Sequence, residues 1–264
     1  MKNILVPIGA SENAISTLQY AVDFAKVIDA KIFVFRAYNV LTKAGAFVNA
    51  DTTMQRETNL YLRTVIAAVN QKEVAIKMIT AKGNVLDSIT AIDRELGVDL
   101  IIMGPKSNSI KEEVFLGNTS GSIVKQTEIP MLIVPEGYVF SPISSVLTAF
   151  KSGIMKKKEV LAPLHKILNS FTSVSNLLLV KTPNHTDKDV VLDPELEKIK
   201  SKLTIAENAT TFQGVLAHFQ SHNPDMLCVF RRKRGFFKKL WEKNTILKEE
   251  FHCNVPLLVL SGKQ

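Results

Sequence analysis

Seven lysines and arginines fall between positions 231 and 243, interleaved with Phe236, Phe237 and Trp241. The run Arg231-Arg232-Lys233-Arg234, continued by Lys238 and Lys239, offers fixed positive charge to phosphate or carboxylate groups. The rings between them offer faces on which a base can stack. The same composition suits an acidic protein or an anionic membrane surface, and also a solvated loop whose rings tuck into the core. The use expected of it is an anion or a protein partner, with nucleic acid set aside. His218 and His222 stand four apart on a predicted helix, a spacing that can hold a metal. Phe219, Gln220 and Ser221 lie between them, no acidic residue accompanies them and no third ligand is apparent, so no metal site is expected. Cys228 falls in a predicted strand and Cys253 just before another, and both read as buried structural thiols. No Ser/His/Asp arrangement stands in a recognisable context. Asp99 and Asp225 open predicted strands, away from the carboxyl ends where α/β sheets take ligands, and read as structural.

The elements that must position these residues alternate. Ile4–Val6 is a short β run closed by Pro7-Ile8-Gly9, and Ser11-Glu12-Asn13 signals the start of an amphipathic helix through Ala25. Lys31–Phe35 reads as a second strand, Thr52–Asn70 as a helix, Val74–Ile79 as a third strand and Val85–Leu96 as a helix. Asp99–Met103 reads as a fourth strand, Gly117–Thr127 as a helix and Met131–Val134 as a fifth strand. Such alternation predicts parallel β-α-β units with helices on both faces.

The series then repeats. Asp99-Leu100-Ile101-Ile102-Met103 answers Asp225-Met226-Leu227-Cys228-Val229, Asn118-Thr119 answers Asn244-Thr245, and Pro130-Met131-Leu132 answers Pro256-Leu257-Leu258. All three share one offset of 126 residues. Val146-Leu147 answers Ile4-Leu5 at a larger offset. With 264 residues, the reading is two domains, 1–137 and 142–264, joined around Gly137–Pro142. Charge divides the same way: residues 1–137 hold 14 basic and 14 acidic side chains, whereas residues 138–264 hold 19 and 11. The amino terminus reads as a strand rather than a signal peptide, and no apolar stretch approaches the ~20 residues of a membrane span. Two cysteines make no disulfide framework, so a reducing cytoplasm is the expected location.

Met1-Lys2-Asn3-Ile4-Leu5-Val6-Pro7 with Ser11-Glu12-Asn13-Ala14 resembles the opening of universal stress proteins. So do Asp99–Gly104, Phe115-Leu116-Gly117 and Ile129–Pro135. The resemblance is strong over 1–136 and, through the repeat, weak over 143–261. It implies two tandem open five-stranded parallel-sheet α/β domains of the adenine nucleotide alpha hydrolase-like kind. ATP-binding members of that family carry Gly, two residues, Gly, nine residues, Gly and Ser/Thr after the fourth strand. Glycines admit a close backbone approach to phosphate, and the helix that follows favours an anion. Carried onto this chain, the pattern gives Gly104, Ser107 in place of the second glycine, Gly117 at the right spacing, and Asn118 where Ser/Thr is expected. Thr119 follows, and Ser120 offers a further hydroxyl. Gly9 stands where those members hold an Asp near the nucleoside. In the second domain Phe230, Lys233 and Lys243 replace all three glycines, so no nucleotide is expected there.

The expectation is a universal stress protein acting as a non-catalytic stress-response regulator or interaction protein. It would have weak or absent ATP binding in the first domain and at most slow hydrolysis. The alternative is an ATP/AMP sensor whose occupancy of the first domain switches partner binding. Because the family's last strand commonly builds dimers, Ile129–Pro135 and Val255–Leu260 are expected to pair within the chain as a pseudo-dimer, or between chains as a homodimer.

Overall fold

A computed structural model describes residues 1–9, 13–39, 50–104, 123, 126–155, 157–231 and 254–260. Its strands are β1 (Asn3–Pro7), β2 (Lys31–Tyr38), β3 (Ile76–Lys82), β4 (Leu100–Met103), β5 (Met131–Ile133), β6 (Ser145–Phe150), β7 (Val174–Lys181), β8 (Lys200–Glu207), β9 (Met226–Phe230) and β10 (Leu257–Leu260). The helices are α1 (Ala14–Ile28), α2 (Ala50–Ala67), α3 (Val85–Leu96), α4 (Ala162–Phe171), α5 (Pro194–Ile199) and α6 (Thr211–His222). Two 3₁₀ turns add Lys158–Leu161 and Asp187–Val190. The described chain separates into two compact units. Unit one carries β1–β4, α1–α3 and Glu136–Phe140; unit two carries β5 and the chain from Ser141 onward.

In unit one the strands run β3-β2-β1-β4, all parallel. Ile4, Leu5 and Val6 of β1 and Leu100, Ile101 and Ile102 of β4 are wholly buried. Unbroken apolar runs of this kind belong to parallel strands covered on both faces, where alternating ones would leave a polar face. Helix α1 lays Leu18, Ala21, Val22 and Ala25 against them. It starts at Ala14 with Asn13 at its N-cap position and no side-chain cap; Ser11 and Glu12 lie outside the described residues. Helix α3 is capped by Asn84, whose side chain accepts from the Leu86 N–H at 2.7 Å. The Glu136–Phe140 segment returns to α1, and Tyr138 and Phe140 set their rings 6.0 and 5.4 Å from that of Tyr20.

Element boundaries move by one to three residues at most ends. β2 continues three residues past Phe35, because its ladder to β3 runs on through Arg36↔Thr80 to Tyr38↔Lys82, beyond the apolar core. β3 begins at Ile76 rather than Val74, since Lys72 and Glu73 adopt positive φ in a turn. The second helix spans Ala50–Ala67. Of the fourth predicted helix, Gly117–Thr127, only Ile123, Gln126 and Thr127 are described.

Unit two repeats the order as β8-β7-β6-β9, extends it by β10, all parallel, and adds β5 antiparallel to β10. The pairing expected between Ile129–Pro135 and Val255–Leu260 forms as β5–β10, with Leu257↔Ile133, Leu258↔Leu132 and Val259↔Met131. The repeat extends to single atoms. Asp99 Oδ2 accepts from the Lys2 and Asn3 N–H groups at 2.7 and 2.9 Å, while its own N–H donates to the Asn3 carbonyl. Asp225 Oδ2 accepts from the Ser144 and Ser145 N–H groups at 2.8 and 2.9 Å, and its N–H donates to the Ser145 carbonyl. Each carboxylate clasps the first residues of its unit's central strand, so both aspartates are structural, at the amino end of the sheet.

Candidate functional site

Ligands of open α/β sheets sit outside the carboxyl ends of the strands. In unit one that end begins where β1 runs out: the Ile8 N–H still donates to the Phe35 carbonyl at 2.7 Å, which leaves the Gly9 carbonyl at the rim. Two side chains converge on it. Arg36 Nη1 donates to the Gly9 oxygen at 3.1 Å, and the Tyr61 hydroxyl, reaching in from α2, donates at 3.0 Å. The guanidinium lies over the Tyr61 ring, 4.1 Å from its centroid, a cation–π contact that orients the charge. One strand further, Lys82 Nζ pairs with Asp51 Oδ2 at 3.0 Å. Burial, and then the neighbouring Asp51 carboxylate, pushes the Tyr38 phenol above its ordinary range.

Gly104 ends β4. A Cβ there would stand 2.7 Å from the hydroxyl oxygen of Thr17, which α1 holds buried. The glycine thus lets helix and strand approach closely, and an added methyl group would have to displace the Thr17 hydroxyl. Ser107, Gly117, Asn118, Thr119 and Ser120 lie outside the described residues. The structure therefore places Gly9 and Gly104 at the carboxyl end of unit one and adds Arg36, Tyr61, Asp51 and Lys82. Sequence reading missed these four because they come from β2, α2 and β3. The one available signal was the polar tail Arg36–Tyr38 on an otherwise apolar strand.

At the same end of unit two the chain fills the space itself. The Gly153 N–H donates to the Asp189 carbonyl at 2.8 Å, and the Asp193 N–H donates to the Gly153 carbonyl at 2.9 Å. The segment Thr186–Asp193 is thereby strapped over the end of β6. Thr186 donates to Asp189 Oδ2 through both its N–H (2.9 Å) and its hydroxyl (2.7 Å). Hydrogen bonds from Ser152 first, then from Thr186, hold the Asp189 carboxyl down at about 2. Because the folded value lies below the ordinary one of about 3.9, Asp189 stabilises the fold above that pH and loses its contribution as pH falls towards 2. The difference in urea midpoint between wild type and Asp189→Asn is therefore expected to be full above pH ~4 and to close towards pH 2.

Phe230, at the position of the first motif glycine, is buried with its ring edge-on to Phe150, centroids 6.4 Å apart. It packs the core where a phosphate-binding backbone would need room. Arg231 donates its N–H to the Leu260 carbonyl at 2.8 Å; Arg232, Lys233, Arg234, Lys238, Lys239 and Lys243 lie outside the described residues, as do Phe236, Phe237, Trp241 and Cys253. Burial pushes the Cys228 thiol well up, against a smaller opposing effect of Thr148, so the thiolate is strongly disfavoured. His222 sets Nδ1 2.8 Å from the His218 carbonyl and Nε2 3.3 Å from the Thr204 hydroxyl, so both ring nitrogens face protein partners. Among the described residues no group of three or more His, Cys, Asp or Glu is arranged to hold a metal, and no helix is long and apolar enough to cross a membrane.

A family model described as "Universal stress protein family" matches residues 1–135. Universal stress protein MJ0531 of Methanocaldococcus jannaschii is 22% identical over 138 residues, covering 50% of this chain and 81% of that protein. Universal stress protein G of Shigella flexneri is 27% identical over 81 residues, covering 31% of this chain and 56% of that protein. Among solved structures, a universal stress protein from Archaeoglobus fulgidus superimposes with a TM-score of 0.73 at 20% identity, over 98% of each chain. A functionally unknown protein, PA1789 from Pseudomonas aeruginosa, superimposes with a TM-score of 0.59 at 13% identity, over 99% of this chain and 93% of its own. The structural matches carry the fold across the full length, and the family match covers just over half of the 264 residues: this chain belongs to the universal stress protein family.

Proposed function

We propose that the protein is a non-catalytic cytoplasmic stress-response regulator. Unit one takes an adenine nucleotide weakly, and unit two takes none and serves partner binding. The observation that carries this reading is the contrast between the two sheet ends. At the first motif position unit two has Phe230, buried against Phe150, whereas unit one has Gly104 at the end of β4, with Gly9 at the end of β1. Gly104, Ser107, Gly117, Asn118, Thr119 and Ser120 would hold the phosphates of a bound ATP, through backbone N–H groups and hydroxyls. The nucleotide would supply an occupancy signal rather than chemistry. The basic run from Arg231 to Lys239 would meet an acidic protein partner.

One observation favours a second reading, a ligand-free interaction protein: the contact of Gly104 with Thr17 gives that glycine a packing role independent of any phosphate. Two measurements separate the readings. Mass spectrometry of small molecules released from freshly purified, denatured protein is expected to detect adenine nucleotide. Calorimetric titration with Mg-ATP is expected to give a weak isotherm that is lost in Gly117→Asp, since a carboxylate repels phosphate. An empty protein with no heat of binding at millimolar ATP overturns the nucleotide reading and leaves the second.

A further inference from the structure

Among the described residues, the carboxyl end of unit one holds a cation with no acidic partner. Arg36 is anchored by the Gly9 carbonyl at 3.1 Å and by the Tyr61 ring at 4.1 Å. Neither partner is charged, and among the described residues no carboxylate comes within ion-pair distance of it. The neighbouring cation differs: Lys82 is compensated by Asp51 at 3.0 Å. A guanidinium carries five N–H donors in a planar fork, and the carbonyl engages one nitrogen of the three. The ring and the carbonyl together hold the fork in place, so little side-chain entropy remains to be lost when an anion binds.

The position of this cation in the sheet says which part of a ligand it meets. In the order β3-β2-β1-β4, Arg36 on β2 stands two strands from Gly104 on β4, roughly 10 Å at the usual spacing of parallel strands. A phosphate bound beyond β4 is therefore a different group from an anion bound at Arg36. In dinucleotide-binding α/β folds an acidic side chain near this end takes the ribose hydroxyls, whereas an arginine accommodates a phosphate on the ribose. At this end the Gly9 carbonyl is already taken by two donors, Arg36 and Tyr61, and no acidic side chain stands at that position. What this end offers a ligand is positive charge.

We infer that Arg36, fixed by Tyr61 and the Gly9 carbonyl, makes unit one selective for a nucleotide with a second phosphate on its ribose, at the 2′ or 3′ oxygen. This rests on the nucleotide reading given above and narrows its ligand class. Calorimetric titration of the full chain with AMP, adenosine 2′,5′-bisphosphate and adenosine 3′,5′-bisphosphate tests it. One of the two bisphosphates is expected to bind about tenfold more tightly than AMP, the scale of one charge-assisted contact. In Arg36→Met the ratio of bisphosphate to AMP affinity is expected to fall towards one, and a cooperative urea transition shows that the variant is folded. Arg36→Lys, which keeps the charge without the fork, is expected to retain only part of the preference. Equal affinities for AMP and both bisphosphates in the wild type, or a preference that survives Arg36→Met, overturn the inference and leave nucleotide binding standing. If none of the three binds at millimolar concentration, the nucleotide reading falls and this inference with it.

Discussion

Gly153→Ala is expected to destabilise unit two by about 3 kcal/mol, the upper range for forcing added atoms into a filled space. A Cβ at this position would stand 2.3 Å from the Val191 carbonyl oxygen, 2.9 Å from its carbon and 3.0 Å from the Leu192 Cα. All three are backbone atoms, so no side chain can rotate out of the way. The strap would have to lift, and the two hydrogen bonds that tie Gly153 to Asp189 and Asp193 would go with it. Hydrogen exchange read peptide by peptide suits this test, because a chain of two units need not unfold in one step. Faster exchange confined to residues 150–155 and 186–196, with a lowered urea midpoint, is the expected result. An alanine variant with wild-type exchange in both segments would mean that the strap does not seat on β6 as described.

Asp225→Ala should cost about 2 kcal/mol, and Asp99→Ala a similar amount in unit one. Each carboxylate accepts two backbone N–H groups, and hydrogen bonds to a charged acceptor contribute more than neutral ones. Removal leaves the Ser144 and Ser145 amides without their acceptor at the mouth of the central strand. Asp225→Asn keeps one amide oxygen in place and should retain roughly half of the contribution. Exchange at the amides of Ser144 and Ser145 should accelerate in the alanine variant, with those of β1 unchanged. Asp99→Ala should show the mirror pattern at Lys2 and Asn3. An effect of either substitution on nucleotide binding larger than its effect on stability would contradict a structural role.

Much of this architecture was legible along the chain. Runs such as Ile4–Val6 and Leu100–Met103 are apolar on both faces, and the intervening helices have their own periodicity, so strand and helix announce themselves locally. The offset of 126 residues between Asp99 and Asp225 exposed the repeat, and their placement at strand starts predicted a structural role that the paired clasps now explain. Ladder ends were less legible. β2 reaches Tyr38 because β3 continues beside it, and no property of Arg36, Ala37 or Tyr38 alone says so. The spacing from Gly104 to Gly117 was visible at once, but the contact of Gly104 with Thr17 was not, since α1 and the end of β4 lie nearly ninety residues apart.

The amino-acid sequence by itself determined the α/β class, the two-fold repeat, the family and the absence of glycines at the motif positions of the second unit, because each is written in local pattern and spacing. Only the tertiary structure decided what occupies the two sheet ends. Gly9, Arg36 and Tyr61 meet because parallel strands carry their carboxyl ends to one side and α2 crosses above them. Gly153 meets Val191 because the chain leaving β7, next to β6, turns back over it. Contacts between residues 25 to 52 positions apart depend on register and crossover, and neither leaves a mark on composition or periodicity.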